Sequence, residues 1–409
     1  MRYEMGGAVG HLQHLHDNRD LTFKEIFNIL EAAADGKLES VSEKLDGLNL
    51  TFSWDVDSDS LRVALNNGNI KNGGLDATSL ASKFEGRGNL SDAFNSAFSI
   101  LKKSLSSLHE EKKLSLFGSQ TNLWYSMEII YAESSNVINY DSNNIVLHGW
   151  PIIRSNNGVL EMAADNEDNV DELVRHVEGM QKAVESRGWK VRGPALLRIK
   201  RLSDSTTLND AKSRIINELS EINLDKSATI RDYIEVKTRF DVEAFGLSKK
   251  TTDMIVDRCM GEYGSPTLVD IKKISNKSDH VTISEFIKSF SKRMKGYVRP
   301  VELAINDFAI ELLRGLESTL VVETSREVKR LREEVTKAIS TIENSGNEEA
   351  MTILREQMEK LKSVNSITSP VEGVVFIYKS NAYKFTGSFS ATNQILGLFK
   401  YGRGSVKLI

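Results

Sequence analysis

Apolar residues change their spacing three times along this chain. Behind Asp20 and Thr22, the residues Leu21, Ile26, Ile29 and Leu30 fall at helical intervals, which predicts one helix within residues 1–39. From Val41 to about Leu65 the period shortens to two: Leu48, Leu50 and Phe52 alternate with Asn49, Thr51 and Ser53. Leu61, Val63 and Leu65 then follow a turn at residues 55–60, so the stretch predicts a β-hairpin. A helix over residues 90–108 and two strands, over 123–131 and 144–153, come next. From about Glu161 to Ser363 the i, i+3, i+4 periodicity takes over. Pro300 stands where a first helical residue belongs, and Leu303, Ile305, Phe308, Leu312, Leu316 and Leu320 follow at helical spacing. Unbroken to Ile342, such a helix would run roughly 60 Å. Residues 343–347 predict the turn of a helical hairpin. After Pro370 the strand pattern returns in Val374, Phe376 and Tyr378, then Tyr383 and Phe385, around a turn at Lys379-Ser380-Asn381.

A chain of 409 residues exceeds one ordinary core. The changes of spacing predict an α+β architecture of antiparallel sheets plus helices, in which a domain built from residues 1–158 and 366–409 carries a large all-α insertion over 159–365. A net charge of −4 gives no global polyanion-binding signature, so contact with nucleic acid needs a local basic patch. The single cysteine, Cys259, permits no intrachain disulfide and suggests a reducing compartment. No apolar run approaches the ~20 residues of a membrane span, and the N-terminus lacks the apolar core of a signal peptide. The expectation is a cytoplasmic protein without a membrane partner, or one acting in a host cytoplasm if phage-encoded.

Most chemical signatures fail. Gly68 and Gly73 have the spacing of a phosphate-binding loop, but Gly74 and Leu75 stand where lysine and a hydroxyl residue are needed. His109-Glu110-Glu111 lacks the second histidine of a zinc-peptidase helix. His11, His14 and His16 could share a metal or be structural. Lys44-Leu45-Asp46-Gly47 remains: a lysine before a tight glycine turn that leads into an apolar strand. Alone, it is equally a surface Lys-Asp pair in a turn. Further along stand the strand glutamate Glu128, then Glu372-Gly373-Val374-Val375, then Lys384.

Those four elements, in that order, resemble the covalent nucleotidyltransferase superfamily of ATP-dependent DNA and RNA ligases and mRNA capping enzymes, and within it phage RNA-ligase-like proteins. The resemblance covers residues 41–153 and 370–400. It implies a ligase-type, ATP-grasp-like nucleotidyltransferase fold in which Lys44 is the nucleophile, with Asp46 and Lys384 as further catalytic residues. It also implies nucleotide contacts from Glu43, Gly47, Asn49, Glu128, Trp150, Val374 and Lys384, with ATP as nucleotide and Mg²⁺ or Mn²⁺ held by Glu372. Glu128 would accept a hydrogen bond from the ribose, Val374 would pack on the purine, and Trp150 would sandwich the base. The implied reaction forms lysyl-AMP and passes AMP to a polynucleotide 5′-phosphate, RNA rather than DNA. An amine with an ordinary pKa of about 10.4 is almost wholly protonated at neutral pH, so Lys44 needs neighbouring cations to become a nucleophile.

The chain departs from the family pattern in three places. Asn49 stands where ligases have an arginine, and Lys384-Phe385-Thr386 has one lysine where two are usual, leaving Lys379 or Lys400 as substitutes. The chain given also ends about 25 residues after Lys384, which predicts no C-terminal oligonucleotide-binding (OB) barrel. Asn69 and Lys71 are candidates for phosphate contact. The basic cluster Arg192, Arg198, Lys200 and Arg201, and a second at Lys288, Lys292, Arg293, Lys295 and Arg299, could follow a nucleic-acid backbone or form solvated faces. Two other readings fit the same residues: transfer of AMP to a protein or small molecule, and a non-catalytic virion or scaffold protein on a decayed ligase fold.

Overall fold

The computed structural model describes residues 12–118, 123–134, 137–156, 159–162, 167–261, 264–379 and 381–401. Helices alternate with two largely antiparallel sheets. The small sheet has the order β1-β8-β9, from Ser42–Lys44 (β1), Gly373–Tyr378 (β8) and Asn381–Phe385 (β9). In the large sheet the order is β3-β2-β4-β5-β6, formed by Leu48–Asp55 (β2), Ser60–Ala64 (β3), Leu123–Ile130 (β4), Asn143–Asn156 (β5) and Val159–Met162 (β6). Trp189–Arg192 (β7) joins β5 in parallel. The chain leaves the small sheet at Lys44 and enters the large one at Leu48, so Leu45-Asp46-Gly47 is the corner where the two sheets meet.

The predicted hairpin forms in the expected register, with Phe52 opposite Val63. Its polar face is not solvated, however. Thr51 and Ser53 are as buried as Leu50, Phe52 and Trp54, because β2 is an interior strand with a covered back face, where the Ser53 hydroxyl donates to the Leu123 carbonyl at 2.7 Å. Leu50 and Phe52 share a core with Phe98 and Leu101 of the helix Asn89–Ser106, and with Met180 and Val184 of the helix Val177–Val184. Strand structure therefore continues past residue 158: β6 and β7 extend the large sheet, and the purely helical stretch begins beyond Arg192.

The N-terminal helix, Phe23–Ala34, is capped by Thr22, whose hydroxyl accepts the Glu25 N–H at 3.1 Å while the Glu25 carboxylate accepts the Thr22 N–H at 3.0 Å. Its apolar face packs with helices Thr206–Glu221 and Ile230–Glu243 and with Val374, Phe376 and Phe385 of the small sheet. The expected long helix differs from expectation at both ends. It starts at His280, so Pro300 lies in its interior, and it stops at Leu312. A proline inside a helix costs about 3 kcal/mol. Burial of Phe286, Phe290 and Val298 before it, and of Val301, Ala304, Ile305 and Phe308 after it, offsets that cost. Gly315, at φ +75°, turns the chain out of the helix, which resumes as Thr324–Asn344 and returns as Glu348–Leu361, capped by Asn347. This hairpin and the helix Phe389–Tyr401 enclose a third core that includes Leu45 and Ile130. No helix among the described residues is long and apolar enough to cross a membrane.

Candidate active site at the corner of two sheets

Lys44 ends β1 opposite Gly373 of β8. Its amine is ion-paired with the Glu372 carboxylate, and the two side chains are 22% and 12% exposed. Glycine is required at 373. A Cβ there would lie 2.0 Å from the Phe385 carbonyl oxygen, so any side chain would push β9 away from β8. Gly47 is required for the same kind of reason, since a Cβ would meet the Glu128 Cγ and the Ile129 carbonyl oxygen, each at 2.7 Å. The two glycines let the Lys44 corner close onto β4 and β9.

Strand alternation sorts the neighbours of Lys44 onto two faces. Ser42, Lys44, Val375 and Lys384 share one face, because Ser42 is opposite Val375 and Val375 is opposite Lys384. Glu43, Val374 and Phe385 share the other. The structure therefore places Val374 in the core with Phe376 and Tyr383 and not on a nucleotide face, and the apolar residue beside Lys44 and Lys384 is Val375. Glu43 points to the back as well. Its buried carboxylate accepts the Ser318 hydroxyl at 2.6 Å, and the Thr319 N–H and hydroxyl at 2.7 Å each, in the segment that follows the Gly315 break. Burial raises its pKa, and those donors act in the opposite direction. Glu43 thus ties the nucleophile strand to the helical segment, and its carboxylate is not placed to meet a nucleotide.

Asp46 is likewise committed to structure. Its Oδ2 accepts the N–H groups of Val137 at 2.6 Å and Ile138 at 2.9 Å, while its own N–H donates to the Tyr140 hydroxyl at 2.8 Å. The loop so gripped is held from the other side by Glu327, which accepts the Asn139 N–H at 2.8 Å, and by Arg330, which donates to the Val137 carbonyl at 2.5 Å.

Glu128, near the end of β4, faces Asn49 on β2 and lies 3.2 Å from the His148 Nε2 on β5. Asn49 is exposed. Trp150 lies two residues beyond His148 in β5, and its side chain is outside the described residues, as is that of Lys400. Burial pushes the Glu372 carboxyl up to about 7. Lys44 opposes that rise, and the negative charges of Asp46 and Glu128 add to it, so three carboxyl groups share the corner. Lys384 is half-buried and has no ion-pair partner among the described residues. Burial, then the charge of Lys44, lowers its pKa, while Asp17 and Glu372 act in the opposite direction.

Other candidates lie elsewhere. The side-chain amide oxygen of Asn69 accepts the Leu65 N–H at 3.1 Å, and Lys71 is exposed beside Ile70, which packs with Trp124 at the opposite end of β4 from Glu128. Lys379 is paired with Glu25 at 2.7 Å. Arg198, Lys200 and Arg201 are exposed, on a segment that runs beside β1 through Glu43 N–H to the Ala195 carbonyl at 2.7 Å. Arg192 is turned instead to the Asn144 side chain at 2.9 Å. In the second basic cluster, Arg293 pairs with Asp241 and Arg299 with Glu359, while Lys288, Lys292 and Lys295 are exposed.

Sequence reasoning left His14 and His16 without a place in this site. Residues 12–17 pack along β9, with Gln13 bridged to Tyr383 and accepting the Lys384 N–H at 3.1 Å. The two imidazoles stack with centroids 5.2 Å apart. His14 is held neutral, its pKa driven down to about 2 by burial and then by the charges of His16, Lys384, Lys44 and Lys360. His11 lies outside the described residues, and no group of three or more His, Cys, Asp or Glu among the described residues is arranged to hold a metal. With Asp46 committed to backbone, Glu372 and Glu128 can offer one or two oxygens. That fits Mg²⁺ arriving with a nucleotide's phosphates, not a cage built by the protein.

Comparison with protein-family models, curated proteins and solved structures finds no match to this chain. The functional reading therefore rests on the corner itself: one amine beside a carboxylate, a second lysine without a counter-ion, and a glutamate–histidine pair on the adjoining sheet.

Proposed function

We propose that the chain is an ATP-dependent nucleotidyltransferase of the ligase type, with Lys44 as nucleophile and a polynucleotide 5′-phosphate, RNA rather than DNA, as acceptor. The observation that carries this reading is the convergence of Lys44, Glu372 and Lys384 on one face of the small sheet, with Glu128 one corner away, from positions more than 300 residues apart. A surface Lys-Asp pair in a turn would not recruit a half-buried lysine and a buried glutamate from the far end of the chain.

In the reaction, the Lys44 amine loses a proton and attacks the α-phosphorus. A P–N bond forms as the bond from the α-phosphorus to the pyrophosphate oxygen breaks. Lys384 faces the same space, disfavours protonation of Lys44 by like charge, and stabilises the charge that develops on the phosphoryl oxygens. Mg²⁺, held on the protein side by Glu372, would supply further charge neutralisation at the phosphates. Glu128 offers an acceptor to the ribose, with His148 fixing its orientation. The acceptor 5′-phosphate then attacks the lysyl-AMP phosphorus and Lys44 is released as the free amine. The exposed Arg198, Lys200 and Arg201, on the segment beside β1, give a phosphate backbone a route to the corner. Incubation with α-labelled ATP and Mg²⁺ tests the reading. Covalent label on the wild type that is lost in Lys44→Ala is expected, and an unlabelled wild type, or label that survives the substitution, overturns it.

A further inference from the structure

Three lysines gather at the Lys44 corner, and only two have an acidic partner at hand. Lys44 is paired with Glu372, and Lys360, at the end of the helix Glu348–Leu361, is paired with Glu302 of the helix His280–Leu312. Lys384 has none among the described residues. The Lys360 position is fixed by its backbone, whose carbonyl accepts the Asn306 side-chain amide at 3.0 Å. His14 and His16 lie among these cations on a segment anchored by the wholly buried Leu15 and by the Gln13 contact to β9. The Nδ1 of His16 is buried and has no hydrogen-bond partner, although its side chain is only 10% exposed. A buried polar atom left unpaired costs about 1–3 kcal/mol, and a half-buried ammonium without a counter-ion adds to that cost. Both costs fall when an anion enters. Asp17 is the acid within the segment, and its carboxylate is taken by the His14 N–H at 3.0 Å.

The order of elements says which part of a nucleotide would bind there. Lys384 and His14 stand on the β9 side of Lys44, about 10 Å away at two strand spacings. Glu128 and His148 stand on the large-sheet side. Lys44 is between the two groups. A ligand with its ribose at Glu128 and its α-phosphorus at Lys44 therefore directs the rest of its phosphate chain toward Lys384 and Lys360.

We propose that Lys360, with Lys384 and the stacked imidazoles of His14 and His16, forms a polyphosphate seat that holds the β- and γ-phosphates of the nucleotide and then the departing pyrophosphate. The proposal rests on the reading of Lys44 as a nucleotide-binding nucleophile. It gives the helical segment, through Lys360, and the N-terminal segment, through His14 and His16, direct parts in the first step.

Calorimetric titration of the full chain with AMP, the non-cleavable α,β-methylene analogue of ATP, and inorganic tripolyphosphate separates the two ideas. Lys360→Gln is expected to weaken the ATP analogue and tripolyphosphate about tenfold or more while leaving AMP within about twofold, and Lys360→Arg to restore both. Thermal melts of the variants show whether each is folded. Equal weakening of AMP and the analogue, or no weakening of either, overturns the polyphosphate seat. If the wild type binds neither AMP nor the analogue, the nucleotide reading of Lys44 falls. Tripolyphosphate then decides the seat alone: binding that Lys360→Gln abolishes supports it, and no binding overturns it.

Discussion

Asp46 distinguishes a structural role from a chemical one at this site, and its two substitutions separate them. Its Oδ2 accepts two backbone N–H groups, from Val137 and Ile138. Asp46→Ala removes that acceptor and leaves both amides unpaired. At about 1–3 kcal/mol for each unpaired buried amide, the loss is about 2–6 kcal/mol. The carboxylate is half-buried, so water relieves part of this, and the Glu327 and Arg330 contacts still hold the loop from the other side. The expected destabilisation is therefore about 2–3 kcal/mol. Asp46→Asn keeps an oxygen able to accept both bonds, and it removes a charge that burial already disfavours, so it should cost about 1 kcal/mol or less. Urea unfolding followed by tryptophan fluorescence measures both variants, and self-labelling with α-labelled ATP measures the chemistry alongside. Refutation would be an Asp46→Ala protein within about 0.5 kcal/mol of the wild type, or an Asp46→Asn protein as unstable as Asp46→Ala. An Asp46→Asn protein that folds normally but does not label would show that the charge itself serves the reaction.

The raised pKa of Glu372 predicts a pH dependence of stability. Its folded value near 7 lies above the unfolded value of about 4.3, so its contribution is fully present below about pH 4 and is lost as pH rises through 7. Glu372→Gln should match the wild type at pH 4 and exceed it at pH 8 by up to about 3 kcal/mol in denaturant unfolding; lower stability at pH 8 would contradict this account of the pair. Gly373→Ala should cost about 3 kcal/mol or more, because the Phe385 carbonyl 2.0 Å from the new Cβ is backbone and cannot turn aside. Wild-type stability in that variant would refute the required close approach of β8 and β9.

The sequence carried the local elements well. The Thr22 cap, the period-two runs of β2, β3, β8 and β9, and the turn before Asn347 depend on residues within a few positions of one another. Each was readable for that reason. The order of Lys44, Glu128, Glu372 and Lys384 was also legible, and it brought their meeting into question before any coordinates existed. Alternation alone could have turned Glu43 and Val374 away from the site, had β1 been recognised as a strand that includes the lysine itself. Pro300 and Thr51 misled for a different reason. A proline penalty or a polar side chain yields to burial supplied by distant segments, and local pattern cannot weigh that burial. Only the tertiary structure could commit Asp46 to the loop at Val137, join Glu43 to Ser318 and Thr319, or bring Lys360 and His14 beside Lys384. These pairings span 91 to 276 residues in the first two cases and depend on how sheets and helices pack, which leaves no periodic trace along the chain.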